Sequence, residues 1–397
     1  KTGVSIESTE PITAYMSLTQ NLGQNLGSAM LLPTGAYGTS YQALGYRQHS
    51  GNPGPTMGAS WVNIVADNDN TVIEITPSNP TKGGRAAGVP FRVTLNRGEV
   101  YQLIGAYKRS YTKAEHGGPF NTISYESYEL SGTTVVSVAN TEGKCLPIGV
   151  FSGSSNTTIT CDENNHQPGG ESYLFQQNYP DQAWGKHYLT APLSTINYIN
   201  ERFYHVYRVM VKDPATVVKR NGVVLTNKIN SWYEFASNQA EYIEADKPVM
   251  VAQYNPYNTS CLNDTYVAPR MKESMTYLTP LGHGIKKTAI FRKYADALST
   301  TYTHLTVIIP DQGLASLKID GSTTVDSVYA HPNKPGYSVV TKRFANGDGI
   351  STVESDTTFT ATVHAPANIG FYYYNVGMQI PRVQFDGQSI KNVYNVS

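Results

Sequence analysis

Tyr242-Ile243-Glu244-Ala245-Asp246-Lys247, running into Pro248-Val249-Met250-Val251-Ala252-Gln253-Tyr254, reads as β-structure from end to end. The first half alternates apolar and polar residues, the period of a strand with one buried face. The pattern recurs along the chain. Val4-Ser5-Ile6-Glu7-Ser8 precedes Ile12-Thr13-Ala14-Tyr15, Val135–Ala139 precedes Pro147-Ile148-Gly149-Val150-Phe151, and Ile350–Asp356 precedes Phe359-Thr360-Ala361-Thr362-Val363. Helical periodicity is almost absent.

The segment after each copy recurs as well. A proline-marked stretch leads to a glycine and an aromatic, Leu32-Pro33 to Gly38 and Tyr41, then Tyr179-Pro180 to Gly185 and Tyr188. The third instance, Leu278-Thr279-Pro280 with Gly282 and Gly284, lacks the aromatic. A hairpin comes next: Trp61–Val65 with Val72–Ile75, Val206–Val211 with Thr216–Val218, and Leu305–Ile309 with Ala315–Ile319, all turning through Asp, Asn, Gly or Pro. Each repeat spans about 110–120 residues and about eight strands, or two four-stranded sheets. The reading is one all-β domain over 1–380, with repeats at about 3–120, 121–237 and 238–345, a closing fragment at 346–380, and an extension or linker at 381–397. Repeated four-stranded antiparallel sheets that begin and end in the same part of the motif suggest a β-propeller of six to seven blades. The alternative is a row of tandem β-sandwiches.

The 397 residues carry 30 basic and 30 acidic side chains, so no basic field exists for nucleic acid or an electrostatic membrane anchor. No apolar run approaches the ~18 residues needed to cross a bilayer as a helix. Charged residues make up 15%, and 29 tyrosines stand among many Thr, Ser, Asn and Gly, a balance common in extracellular β-proteins. The chain starts at Lys1, consistent with a removed leader or a trimmed fragment. Cys145 and Cys161 are close enough for a local disulfide, with buried free thiols as the alternative; Cys161 and Cys261 hold nearly equivalent repeat positions, which leaves Cys261 free or paired with another chain.

No catalytic signature is present: no nucleophile elbow, phosphate loop, dinucleotide fingerprint or zinc motif. No cofactor is expected. The turn Asp67-Asn68-Asp69-Asn70 offers Asp67 and Asp69 as weak calcium ligands, against its reading as a plain hairpin turn. Cys161-Asp162-Glu163-Asn164-Asn165-His166 is an acidic loop. Tyr37, Tyr41, Tyr46 and Phe371-Tyr372-Tyr373-Tyr374 are candidate stacking platforms or core, and Asn156, Asn258, Asn263 and Asn395 are glycosylation triplets.

The chain resembles the IgGFc-binding protein N-terminal domain family. The resemblance is carried by Cys145-Leu146-Pro147-Ile148-Gly149-Val150-Phe151-Ser152-Gly153-Ser154-Ser155, Phe175-Gln176-Gln177, Trp184-Gly185-Lys186-His187-Tyr188-Leu189 and Thr94–Leu103, besides the opening stretch. Gly336-Tyr337-Ser338 to Tyr374-Asn375-Val376-Gly377 is similar to the end of bacterial members, surface proteins of Bacteroidetes. The resemblance implies extracellular or cell-surface placement and a non-catalytic adhesion or binding role, with a protein, a glycan or further copies of the chain as partner. The other readings are a structural subunit of a fibre, sheath or matrix, and a glycan-active enzyme, which needs two carboxylates about 5–10 Å apart beside a pocket.

Overall fold

The computed structural model describes residues 2–10, 12–20, 24–48, 58–112, 122–157, 159, 172–194, 204–256, 273–292, 302–345, 347–366, 371–381 and 394–396. The chain opens with a hairpin, β1 (Ala14–Gln20) and β2 (Gln24–Leu31). A first module comes next: β3 (Ser40–Gln42), β4 (Ser60–Ala66), β5 (Thr71–Thr76), β6 (Phe91–Leu95), β7 (Val100–Ile104), β8 (Tyr107–Thr112), β9 (Thr122–Ser127), β10 (Thr134–Val138), β11 (Ile148–Thr157) and β12 (Ser172–Gln177). The second holds β13 (Gly185–Leu189), β14 (His205–Val211), β15 (Val218–Arg220), β16 (Val223–Val224), β17 (Lys228–Ile229), β18 (Trp232–Ser237), β19 (Tyr242–Asn255) and β20 (Ser274–Tyr277). The third holds β21 (Ile285–Arg292), β22 (Thr303–Pro310), β23 (Lys318–Ile319), β24 (Ser327–Ala330), β25 (Tyr337–Phe344), β26 (Gly349–Pro366) and β27 (Phe371–Asn375), before a last pair, β28 (Met378–Ile380) and β29 (Tyr394–Val396).

The stretch from Tyr242 to Tyr254 forms one strand, not two. β19 runs through Pro248 inside one eight-stranded sheet and changes neighbours along its length: Tyr242–Ala245 lies between β13 and β15, and Met250–Tyr254 between β14 and β20. Pro248 falls where the pairing with β13 slips register, so its missing N–H costs no ladder bond. β26 changes neighbours in the same way, between β21 and β23 and then between β22 and β27. In the first module the two halves are separate strands. β10 lies between β3 and β5, and β11 between β12 and β4.

Each module folds around its own core. Val62, Ile64, Ile148 and Val150 of one sheet meet Tyr41, Ile73, Ile75 and Val135 of the other. Val209, Val211 and Val251 meet Tyr188, Val218 and Ile243 in the second module, and Leu305, Val307 and Val363 meet Ile290, Ile319 and Val353 in the third. The six to seven four-stranded blades expected of a propeller are not seen among the described residues: only the first module has two separate four-stranded sheets, and the second and third are sheets of eight and seven strands.

The opening hairpin, the first two modules and the last strand pair share a central core that includes Met30, Leu44, Tyr46, Trp184, Met210, Trp232, Met250, Tyr254, Tyr277 and Met378. Strands β2, β12, β20 and β27 pack in a closed circuit: β2 on β12 and β27, β20 on β12 and β27. The fourth copy of the hairpin thus closes the assembly.

The recurring proline, glycine and tyrosine are the joints. A Cβ on Gly38 would lie 2.6 Å from Pro180 Cβ, and one on Gly185 would lie 2.3 Å from Pro280 Cβ, so each glycine lets the next module's proline turn approach. Tyr41 Oη accepts from Gly38 N at 2.8 Å and donates to Ile148 O at 2.6 Å. Tyr188 does the same, accepting from Gly185 N at 3.1 Å and donating to Val249 O at 2.6 Å. These phenols satisfy buried backbone groups that would otherwise be orphaned.

Candidate functional site

The four closing hairpins all point one way. Ser172 Oγ, at the start of β12, donates to the Glu273 carboxylate just ahead of β20, and Gln176 Nε2 donates to Met275 O at 2.8 Å and Ser28 O at 3.1 Å. Asn375 Nδ2, at the end of β27, donates to Tyr277 O at 3.1 Å at the end of β20. The connections β1–β2, β11–β12, β19–β20 and β26–β27 therefore leave from a common end. Because β4, β14 and β22 run antiparallel to the neighbouring strands, they begin at that end too.

Aromatic and basic side chains rim this hairpin end. Tyr204 is exposed just before β14. Arg343 lies over the Tyr302 ring at 4.5 Å, just before β22, while Lys108 sits 5.3 Å from Tyr128 and Lys82 5.7 Å from Tyr107. Half-buried tyrosines held by a cation present large rigid surface at small entropic cost, the chemistry of protein and glycan recognition.

Two buried polar clusters lie inboard. Arg208 on β14 pairs with the carboxylates of Glu129 and Glu234, donates to Gly45 O at 3.0 Å, and lies over Tyr46 at 4.2 Å and Trp232 at 4.9 Å. Burial works against its charge, and the two carboxylates more than restore it, so the guanidinium stays ionised. The ion triad welds the first module to the second. The other cluster is His205, His304 and His364, where β14 meets β22 and β26. His304 and His364 stack at 4.9 Å, Leu193 N donates to His205 Nε2 at 3.0 Å, and His364 Nε2 lies 3.0 Å from Ser194 O. Burial pushes His205 down to about 3, helped by His364, and His364 down to about 4; His304 is driven well down by burial, His364 and Arg343. All three are neutral at pH 7.

The sequence candidates fall elsewhere. Asp67 and Asp69 lie at the opposite end, where β4 turns into β5. Asp69 Oδ1 accepts from Arg97 N at 2.9 Å, Asn70 adopts a φ of 54°, and among the described residues no group of three potential ligands gathers around a cation position. This is turn chemistry. Cys145 is exposed at the same far end. Cys161, Cys261, the loop 162–166, Asn258 and Asn263 lie outside the described residues, and so does the partner of the expected bridge. Tyr46, Tyr372, Tyr373 and Tyr374 are buried with Tyr41, so they are core and not platforms. Tyr37 packs against Gly149, and burial, with Asp67 nearby, pushes its phenol up to about 12. A cavity of about 20 Å³ among the described residues is lined by Thr190, Gln253, Thr306, Thr362, Asn375 and apolar neighbours, with no carboxylate. The close carboxylates Glu129 and Glu234 are instead occupied by Arg208.

Sequence reading missed the rim and both buried clusters. Arg208 and His205 sit in the apolar run Val206–Val211 or at its edge, and a charge interrupting such a strand is the available signal.

Against known proteins, the family described as IgGFc binding protein matches residues 27–365. No curated protein and no solved structure matches the chain.

Proposed function

The chain belongs to the IgGFc-binding protein family, and from that membership we propose that it is a secreted or cell-surface, non-catalytic adhesion module that grips an extracellular protein or glycan with its hairpin end. The observation that supports this most is convergence. Four equivalent hairpins and the starts of β4, β14 and β22 meet at one end, and that end carries Tyr204, Tyr302–Arg343 and Tyr128–Lys108. Rigid scaffolds of this kind commonly bind through the connections at one end. The opposite end offers tight turns already spent on their own backbone, such as Asp69 on Arg97 N.

The Gly336–Gly377 stretch favours a bacterial surface protein as the source. The test is an array of host extracellular proteins, including immunoglobulin Fc, and glycans, probed with the purified chain and with Tyr204→Ala/Tyr302→Ala. A saturable partner whose signal falls in the variant supports the reading. Turnover of an arrayed glycan, or no binding at all, overturns it.

A further inference from the structure

A row of titratable side chains runs behind the aromatic rim of the hairpin end. Arg343, His304, His364 and Tyr373 stand opposite one another on β25, β22, β26 and β27. His304 pairs with Arg343 on one side and His364 on the other, and His364 pairs with Tyr373. Residues directly opposed in neighbouring strands share a face of the sheet, so the four point the same way. That face looks toward the second module, where Ile308 and Val339 pack on Leu189 and Ala191 and His364 Nε2 lies 3.0 Å from Ser194 O. His205 meets the row from the start of β14, close enough for His364 to act on its charge.

Two of these histidines are tied to rim tyrosines. Tyr204 immediately precedes His205, and Tyr302 is separated from His304 by Thr303 alone. Arg343 adds a second link, since it opposes His304 in the ladder and lies over the Tyr302 ring. All three imidazoles are fully buried, and neither ring nitrogen of His304 has a hydrogen-bond partner. A proton on His304 therefore meets no acceptor and places a cation between Arg343 and the His364 ring stacked 4.9 Å away. On the second-module side the charged groups are Arg220 and Glu241, paired with each other. They act on Tyr207, which meets His205 edge-on, and Glu241 also acts on His331, which lies 3.3 Å from Thr190 O. The way out to water is on the rim side, where Tyr204 is exposed and Tyr302 and Arg343 are half-buried. Relief of the repulsion moves the rim: Arg343 leaves Tyr302, and the starts of β14 and β22 part.

We propose that His205, His304 and His364 form an acid-operated latch, which seats Tyr204 and Tyr302 on the rim at neutral pH and, when protonated in a mildly acidic medium, unseats them and releases the bound partner. The release rests on the hairpin end being the binding surface; the unseating of the tyrosines does not.

Amide hydrogen exchange of the full chain at pH 7 and 5, corrected for intrinsic rates, reads the latch without any partner. Opening at residues 204–208, 302–306 and 341–344 should increase by about 25-fold for each histidine that it frees to titrate at about 6.5. Residues 62–65 and 73–75 in the first module should change by less than about threefold. His304→Leu should lose its share of the response at the rim. The wild-type pH profile decides even where that variant does not fold: the rise should begin near about 6.5, and one that begins below about 5 belongs to carboxylates and overturns the latch. Unchanged exchange at the rim overturns it too, as does an equal rise in the first module, which is global unfolding. Affinity for an array-identified partner should fall at least about tenfold from pH 7 to 5, and by less in His304→Leu. An affinity indifferent to pH while the rim opens overturns the release. An array without any binder, with the exchange response intact, removes the binding surface and upholds the unseating of the tyrosines.

Discussion

Lowering the pH from 7 to 5 should destabilise this protein through three residues in particular. His205, His304 and His364 are buried at the seam of the second and third modules, and their folded-state pKa values lie well below the ordinary 6.5. An unfolded chain binds protons at these sites as pH falls through 6.5; the folded chain does not until far lower. The stability they confer is therefore complete above about 6.5 and drains away toward about 3–4. Between pH 7 and 5 His205 and His364 each cost about 2 kcal/mol, at about 1.4 kcal/mol per pH unit below 6.5, or about 4 kcal/mol together, and His304 acts in the same direction. A chain of this length unfolds with about 0.8 kcal/mol/K of entropy, so the midpoint should drop by at least about 5 °C. The assay is calorimetry at pH 7 and 5 in matched ionic strength. His304→Leu isolates the cause, because neither His304 ring nitrogen has a partner to lose. That variant should show a smaller drop, since it removes the His304 share of the pH-linked loss. A midpoint that moves by less than about 1 °C in the wild type would rule out this linkage, given the entropy above. An undiminished drop in the variant would do the same.

Other outcomes rest on single contacts. Arg208→Met strands Glu129 and Glu234 without their cation and should cost about 3–5 kcal/mol, read as a fall of about 4–6 °C in melting temperature; a change under about 1 °C contradicts the weld between modules. Gly153→Ala places a Cβ 1.9 Å from Leu174 O, so β11 and β12 must part, and chemical denaturation should show a loss of about 1–3 kcal/mol. Millimolar calcium should leave the melting temperature unchanged, because Asp69 is occupied by the Arg97 amide; a rise that chelator reverses would restore the turn as a metal site.

Much of the fold was legible because each repeat writes the same physical problem in the same residues. The alternation in Tyr242–Lys247 identified a strand with one buried face, and Pro33, Gly38 and Tyr41 recurred as Pro180, Gly185 and Tyr188 because each module boundary needs a turn, a close approach and a phenol to satisfy a carbonyl. How the strands group into sheets was not legible. Alternation says that one face is buried, not which sheet covers it; in the first module Val62 and Ile75, from two different sheets, share one core. The chain runs straight through Pro248, since a register slip tolerates proline as well as a strand end does. The rim was invisible for a further reason: Tyr204, Tyr302 and Tyr128 are distant in sequence and look like any other members of a tyrosine-rich chain.

Above all, partners are expected to be met at the hairpin end. Solution affinity for an array-identified partner decides this, compared between Tyr204→Ala/Tyr302→Ala at that end and Glu142→Ala/Lys144→Ala on the exposed turn at the other. The first pair should weaken binding by about 30-fold, the equivalent of two rim aromatics at about 1 kcal/mol each, with no loss of melting temperature; the second should leave affinity within about twofold. A loss confined to Glu142→Ala/Lys144→Ala would put the binding surface at the far end of the molecule and contradict a grip by the hairpins.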